Sequence, residues 1–274
     1  MTDPGDEMPA DLPNVDFLEA GSGPLVILVH SSVASARQWR KLIELLAGSY
    51  HVKAIQLFGY GSSPSWTQEC KQTLADQAGL IESIIPDATS QIAIVGHSFG
   101  GAVAMKTAAR LGNRVRSLIL LEPNPFDLLR QAGRDDAYRE VQGLRNSIKS
   151  HGAAGDWLPA AERFADYWGG AGTWTAMDDD RRTTFAKALR PNFHEWDAIM
   201  NETTTLHDWV AQLSCTTTII YDPHTVRPIR EIVELTQQGT PWTTRAIPRG
   251  GHMAPLTHPE IVNPLVCEAL RNGE

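Results

Sequence analysis

The chain has 274 residues, 42% of them hydrophobic and 20% charged, with a formal net charge of −8 at pH 7. That length and balance fit one large globular domain and exclude a disordered chain. The acidic balance offers no basic footprint for nucleic acid or for an anionic membrane, and no apolar run approaches bilayer-spanning length, so neither nucleic acid nor a membrane is an expected partner.

The opening stretch "MTDPGDEMPADLP" is acidic and proline-rich, without the basic start or apolar run of a secretory signal. "PLVILVH" (24–30) has the pattern of a buried strand, and Trp39, Leu42, Ile43 and Leu46 then recur on one helical face. "HVKAIQL" (51–57) reads as the next strand and "QTLADQAGLIESII" (72–85) as the next helix. "QIAIVGH" (91–97) is a strand, "GGAVAMKTAARLG" (100–112) a helix and "RSLILLE" (116–122) a strand. Strict alternation of this kind predicts a parallel sheet covered on both faces.

From about Asn124 to Asp208 the patterns are helical with no convincing strand, and five of the eight tryptophans lie in or just after this stretch: Trp157, Trp168, Trp174, Trp196 and Trp209. The sheet rhythm resumes with "CTTTIIY" (215–221), a helix around 228–238, a strand "TTRAIP" (243–248) and a closing helix from about Pro259. The middle block therefore reads as a helical insertion over the sheet, not as a separate domain. The three cysteines, Cys70, Cys215 and Cys267, have no metal or redox spacing, which points to a reduced, cytoplasmic setting.

Residues 96–101 read Gly-His-Ser-Phe-Gly-Gly, a G-x-S-x-G between an apolar strand and a small-residue helix. A serine on such a turn is held in a strained backbone with its hydroxyl raised, and the flanking glycines admit neighbouring backbone. A serine hydroxyl needs a base. His252, on the Gly-Gly loop of "RGGHMAPLTHPE" (249–260), follows the last strand and completes the chain order of nucleophile before base. His258 and His97 read as structural neighbours. The oxyanion of a tetrahedral intermediate needs two amide donors. Phe99, next after the serine, supplies one, and Ser32, in the loop "HSSVAS" (30–35), is the choice for the other.

"LVHSSVASARQW", "LFGYGSSP", "IVGHSFGGAVAM", "SLILLEP" and "GGHMAPLTHPE" together resemble the α/β-hydrolase family, of the kind with a helical cap that includes esterases, lactonases, dehalogenases and epoxide hydrolases. The resemblance runs from about residue 24 to the end. It implies a doubly wound, mostly parallel sheet, with a helical cap (124–210) inserted after the sixth strand of a core made from residues 1–123 and 211–274. It departs from the family pattern at His30-Ser31, where His-Gly is usual, and at Gln56, where Asp is usual. It departs again at His224, which fills the slot where family members place the acid after "TTTIIY". Some relatives place that acid at the end of the strand after the nucleophile helix, which here is Glu122. Asp222 is the alternative, although it stands very close to its strand.

The implied activity is hydrolysis of a carboxylic ester, thioester or lactone of a small, largely apolar substrate through an acyl-serine, with no metal or organic cofactor. Dehalogenase and epoxide hydrolase chemistry is disfavoured, because it needs a carboxylate nucleophile whose alkyl ester water can cleave. A carbon–carbon bond hydrolase and a ligand-binding receptor with little turnover are the alternatives. Trp168 and Trp174 are the candidate pocket aromatics.

Overall fold

The computed structural model describes residues 14–86 and 91–273. The N-terminal stretch read above for a secretory signal lies outside the described residues. Among the described residues seven strands form one sheet: β1 (Phe17–Ala20), β2 (Leu25–Val29), β3 (His51–Ile55), β4 (Ile92–His97), β5 (Val115–Leu121), β6 (Thr216–Tyr221) and β7 (Thr243–Ala246). Their order is β1-β3-β2-β4-β5-β6-β7. Among these seven, β1 runs antiparallel to β3 and the other pairings are parallel.

Side chains alternate between sheet faces along a strand, and the central strands use both faces for core. Ile27 and Val29 join the core under one layer of helices, while Val26 and Leu28 join the core under the other. This is why "LVILV" is apolar at every position rather than at every second one. One face is covered by α1 (Arg40–Leu46) and α12 (Pro259–Asn272), through Trp39, Leu42, Val262 and Val266. The other is covered by α2 (Leu74–Ser83), α3 (Phe99–Leu111) and α10 (Arg227–Gly239). A reciprocal cap fixes the start of α2: Thr73 accepts from the Asp76 amide, and Asp76 accepts from that of Thr73.

Between β5 and β6 the chain makes six helices: α4 (Asp127–Gln131), α5 (Asp135–Ala153), α6 (Trp157–Gly169), α7 (Asp179–Ala188), α8 (Asn192–Met200) and α9 (Leu206–Gln212). Among the described residues five strands precede this block, not the six expected. The strand β1 leads into β2 through the Gly21-Ser22-Gly23 turn, which leaves no chain for a further strand between them. β1 itself escaped the sequence reading, because its four residues are all partly or fully exposed and form no apolar run. After β7 the short α11 (Ala254–Thr257) leads into α12. No helix among the described residues is long and apolar enough to cross a membrane.

Candidate active site

β4 ends at His97 and α3 begins at Phe99, so Ser98 alone makes the turn, with φ 54° and ψ −120°. A side chain rarely adopts that backbone, which costs on the order of 1–3 kcal/mol and persists only where the surroundings impose it. They do so here. A Cβ on Gly96 would stand 2.3 Å from the Gly100 carbonyl oxygen, and one on Gly100 2.3 Å from that of His30. The two glycines are thus the condition for closing the turn against β2. The Ser98 amide donates to the Leu121 carbonyl at 2.9 Å, tying the turn to the end of β5.

The Ser98 hydroxyl lies 2.9 Å from His252 Nε2, and His252 Nδ1 lies 2.8 Å from Glu122 Oε2. Both ends are buried, with His252 4% and Glu122 3% exposed. The network sets the tautomer: Nδ1–H donates to the carboxylate, which leaves the Nε2 lone pair to accept from Ser98. Glu122 follows β5 with φ 46°, a left-handed backbone on a long side chain. Its amide donates to the Ile220 carbonyl, and its carboxylate is held by two further donors, the Asp222 amide at 2.8 Å and Thr225 Oγ at 2.6 Å.

Asp222, the alternative acid, does not reach the ring. Its oxygens accept from the amides of His224 at 2.8 Å and Gly251 at 2.7 Å. It therefore anchors the backbone next to His252, while Glu122 takes the imidazole. His224, standing in the usual acid slot, lines the cavity. His97 donates from Nε2 to the His252 carbonyl at 2.9 Å and accepts from Gln38 at Nδ1. Burial holds His97 well below the usual histidine range, so it stays a neutral brace for the His252 loop. His258 lines the cavity as well, with Thr257 Oγ 2.8 Å from its Nδ1.

The loop after β2 can offer one amide to an oxyanion. The Ser31 amide donates to Gln38, the Val33 amide to Tyr60 Oη and the Ala34 amide to the Ser31 carbonyl. Among the described residues, Ser32 N–H is the amide of residues 31–34 left without a partner in the chain. Phe99 opens α3, where the first amides have no intrahelical acceptor. With serine where glycine is usual at 31, the loop puts its left-handed residue at Val33, φ 63°. His30 anchors the loop's base, donating to the Ser31 carbonyl and accepting from the Leu57 amide, and burial depresses it to about 4. At the second departure, Gln56 accepts from the Ala36 amide and so also braces this loop.

Ser98 opens into a cavity of about 850 Å³, within the range of small-molecule sites. Its apolar wall includes Phe164, Trp168, Phe185, Trp196 and Ile199, from α6, α7 and α8. Trp168 lies 4.3 Å, ring to ring, from His252. Trp174, the other aromatic expected there, is not among the lining residues. It packs a layer behind, edge-on to Phe185 with the Arg182 guanidinium over its ring. The sequence reading missed Thr225, Tyr60 and Glu195. Tyr60 stands in the quoted "LFGYGSSP" and Thr225 next to His224, yet neither carries a motif of its own. Glu195 stands in no motif, and the two partners that tie it to the loop after β2, Ser32 and Tyr60, are distant in sequence.

A family model described as the alpha/beta hydrolase family matches residues 26–265. A pimeloyl-[acyl-carrier protein] methyl ester esterase of Aeromonas hydrophila is 29% identical over 171 residues, 62% of this chain and 63% of that protein. Lipase LipV of Mycobacterium tuberculosis is 31% identical over 161 residues, 57% of this chain and 54% of that protein. The chain thus spans less than two thirds of the length of these curated relatives. Among solved structures, MenH from S. aureus superposes with a TM-score of 0.74 at 14% identity, over 94% of this chain and 98% of that one. A carboxylesterase of Nitrososphaera gargenis does so with a TM-score of 0.75 at 16% identity, over 97% of each. At such identities the likeness is one of fold.

Proposed function

We propose, from the premise that this chain belongs to the alpha/beta hydrolase family, that it is a serine hydrolase of small, largely apolar carboxylic esters, thioesters or lactones. The observation that carries this reading is the unbroken relay from Ser98 through His252 to Glu122, opening into an apolar cavity. Ser98 Oγ attacks the substrate carbonyl while His252 Nε2 takes its proton. Glu122 holds the ring and balances the imidazolium in a site shielded from water. The Ser32 and Phe99 amides receive the oxyanion. His252 then returns its proton to the leaving oxygen or sulfur, which departs as alcohol or thiol. Water, deprotonated by the same histidine, releases the acid from the acyl-serine.

Residues 124–210 act in this reading as a cap on a core of 1–123 and 211–274, supplying the apolar wall that chooses the acyl group. Some curated relatives bear the names of an epoxide hydrolase and a haloalkane dehalogenase. Ser98 does not support those chemistries here, because an alkyl–serine ether has no carbonyl for water to attack. The free thiols of Cys70, Cys215 and Cys267 agree with a reduced, cytoplasmic setting.

Intact-mass analysis after fluorophosphonate treatment tests the mechanism, and a panel of esters, thioesters and lactones of increasing acyl length tests the substrate class. One adduct on Ser98 with multiple turnover on the panel is expected. A protein that binds panel compounds but takes up no adduct and turns none over is a receptor, not this enzyme.

A further inference from the structure

Glu195 stands on α8 with its carboxylate buried at the cavity, the side chain 1% exposed, and three donors converge on it. Ser32 Oγ donates at 2.5 Å, Tyr60 Oη at 2.8 Å and Asn192 Nδ2 at 2.8 Å. Two of these three lead straight into the loop after β2. Ser32 is bound directly, and Tyr60 Oη, while donating to Glu195, accepts from the Val33 amide at 2.9 Å.

That loop needs holding. Val33 has φ 63°, which a β-branched residue adopts only under constraint. If the tyrosine bond is lost, Val33 is free to leave the left-handed region and its amide to swing. The adjacent Ser32 amide, aimed by the same turn, moves with it. Both restraints end on one carboxylate that lies 163 residues further along the chain. No histidine, lysine or arginine pairs with Glu195 among the ion pairs of the described residues, so its role is to accept these hydroxyl and amide protons.

We infer that Glu195 is the positioning residue of the oxyanion loop: through Ser32 Oγ and Tyr60 Oη it aims the Ser32 amide at the developing oxyanion. The inference rests on the serine hydrolase reading above for what that amide does. The helical block then does more than line the cavity; it assembles part of the catalytic geometry. A substrate whose acyl group loosens α8 would lose oxyanion stabilisation without losing its binding site.

The test is a set of three variants, Glu195→Gln, Ser32→Ala and Tyr60→Phe, in the full chain. Glutamine offers one acceptor oxygen and places an amide N–H₂ against a hydroxyl, so at least one of the three bonds fails. Each variant is expected to lower kcat by roughly 10- to 100-fold with KM within about twofold of wild type, since a misaimed donor costs transition-state binding alone. The inhibition constant of a trifluoromethyl ketone, whose tetrahedral adduct mimics the oxyanion, should rise by the same factor as kcat falls. Adding Ser32→Ala to Glu195→Ala, which removes all three bonds, should cost nothing beyond Glu195→Ala alone, because the bond that Ser32→Ala cuts is already gone. A crystal structure of Glu195→Gln should show residues 31–34 displaced and Val33 out of its left-handed conformation. Independent, multiplying losses, a rise in KM at unchanged kcat, or an unmoved loop would each overturn the inference. Should Glu195→Gln not fold, Tyr60→Phe and Ser32→Ala decide by the same kcat, KM and inhibitor readouts. Wild-type protein that takes no phosphonate adduct overturns the hydrolase reading instead, and the crystallographic comparison still tests the positioning of the loop.

Discussion

Ser98 and Glu122 are two of only three non-glycine residues with positive φ among those described, and they stand at the ends of adjacent strands. The strain at Ser98 lifts a hydroxyl toward His252; that at Glu122 turns a long side chain back across the strand ends to the same ring. Ser98→Ala should lower hydrolysis by roughly 10³-fold or more without unfolding the protein, measured by ester turnover and thermal melting. Glu122→Gln should lower kcat by roughly 10²- to 10⁴-fold, since the amide cannot balance an imidazolium and favours the wrong tautomer. Asp222→Asn should cost far less, because Asp222 binds only backbone amides, and one oxygen still accepts from Gly251 or His224. Equal losses in the two acid variants would mean that the loop backbone, not the charge on the ring, limits the rate. Ser98 and Glu122 were legible because each stands where an apolar strand ends, and His252 because it follows a Gly-Gly pair after the last strand. Thr225 was beyond its reach: that side chain matters only because its loop folds back on a carboxylate 103 residues earlier.

The strands were legible for the same reason: β2, β4 and β5 are apolar runs buried on both faces, and β6 is a run of β-branched residues. The helical block was legible as helix but not in how it faces the site. Its tryptophans look alike in sequence, and what separates them is which side of each helix meets the cavity. Trp168, on α6, lies against His252; Trp174, beyond the end of α6, packs on Phe185 and Arg182. The two substitutions should therefore part company. Trp168→Ala enlarges the cavity beside the base and should change the ratio of long- to short-chain ester turnover. Trp174→Ala removes core of the block and should lower the melting temperature, in line with the roughly 3–5 kcal/mol cost of deleting a buried aromatic, with the ratio unchanged. If Trp174→Ala shifts chain-length preference as much as Trp168→Ala does, the wall of the site extends further than the residues that line the cavity.

Buried ionisable groups give the whole molecule an acid sensitivity whose sign can be worked out. Burial depresses His30 from 6.5 to about 4 and holds His97 well below its ordinary value, so both stay neutral in the fold. In the unfolded chain each binds a proton below about pH 6.5. Between pH 6.5 and about 4 the unfolded state therefore holds more protons, and stability falls as pH falls. For His30 alone roughly 3 kcal/mol is lost across that window, since each tenfold weakening of proton binding in the fold is worth about 1.4 kcal/mol. Burial raises Glu195, which works in the opposite sense: the folded state takes up its proton first as pH falls, and stability is gained through that step. Asp127, held down by Arg130, and Glu202, held down by Thr204 and then Lys106, lose their contributions as pH falls from the ordinary carboxylate values downward. His194, lowered by burial as well, acts in the same sense, and since each group exchanges at most one proton the histidines outweigh the one glutamate across this window. Urea unfolding followed from about pH 7.5 to about 4.5 should show the midpoint falling steadily below about pH 6.5, with the m-value little changed. A flat midpoint across that range would mean that one or both rings are already protonated in the fold. Because His30 anchors the oxyanion loop and His97 braces the His252 loop, the same window should carry a loss of activity that outlasts return to neutral pH only where the protein has unfolded.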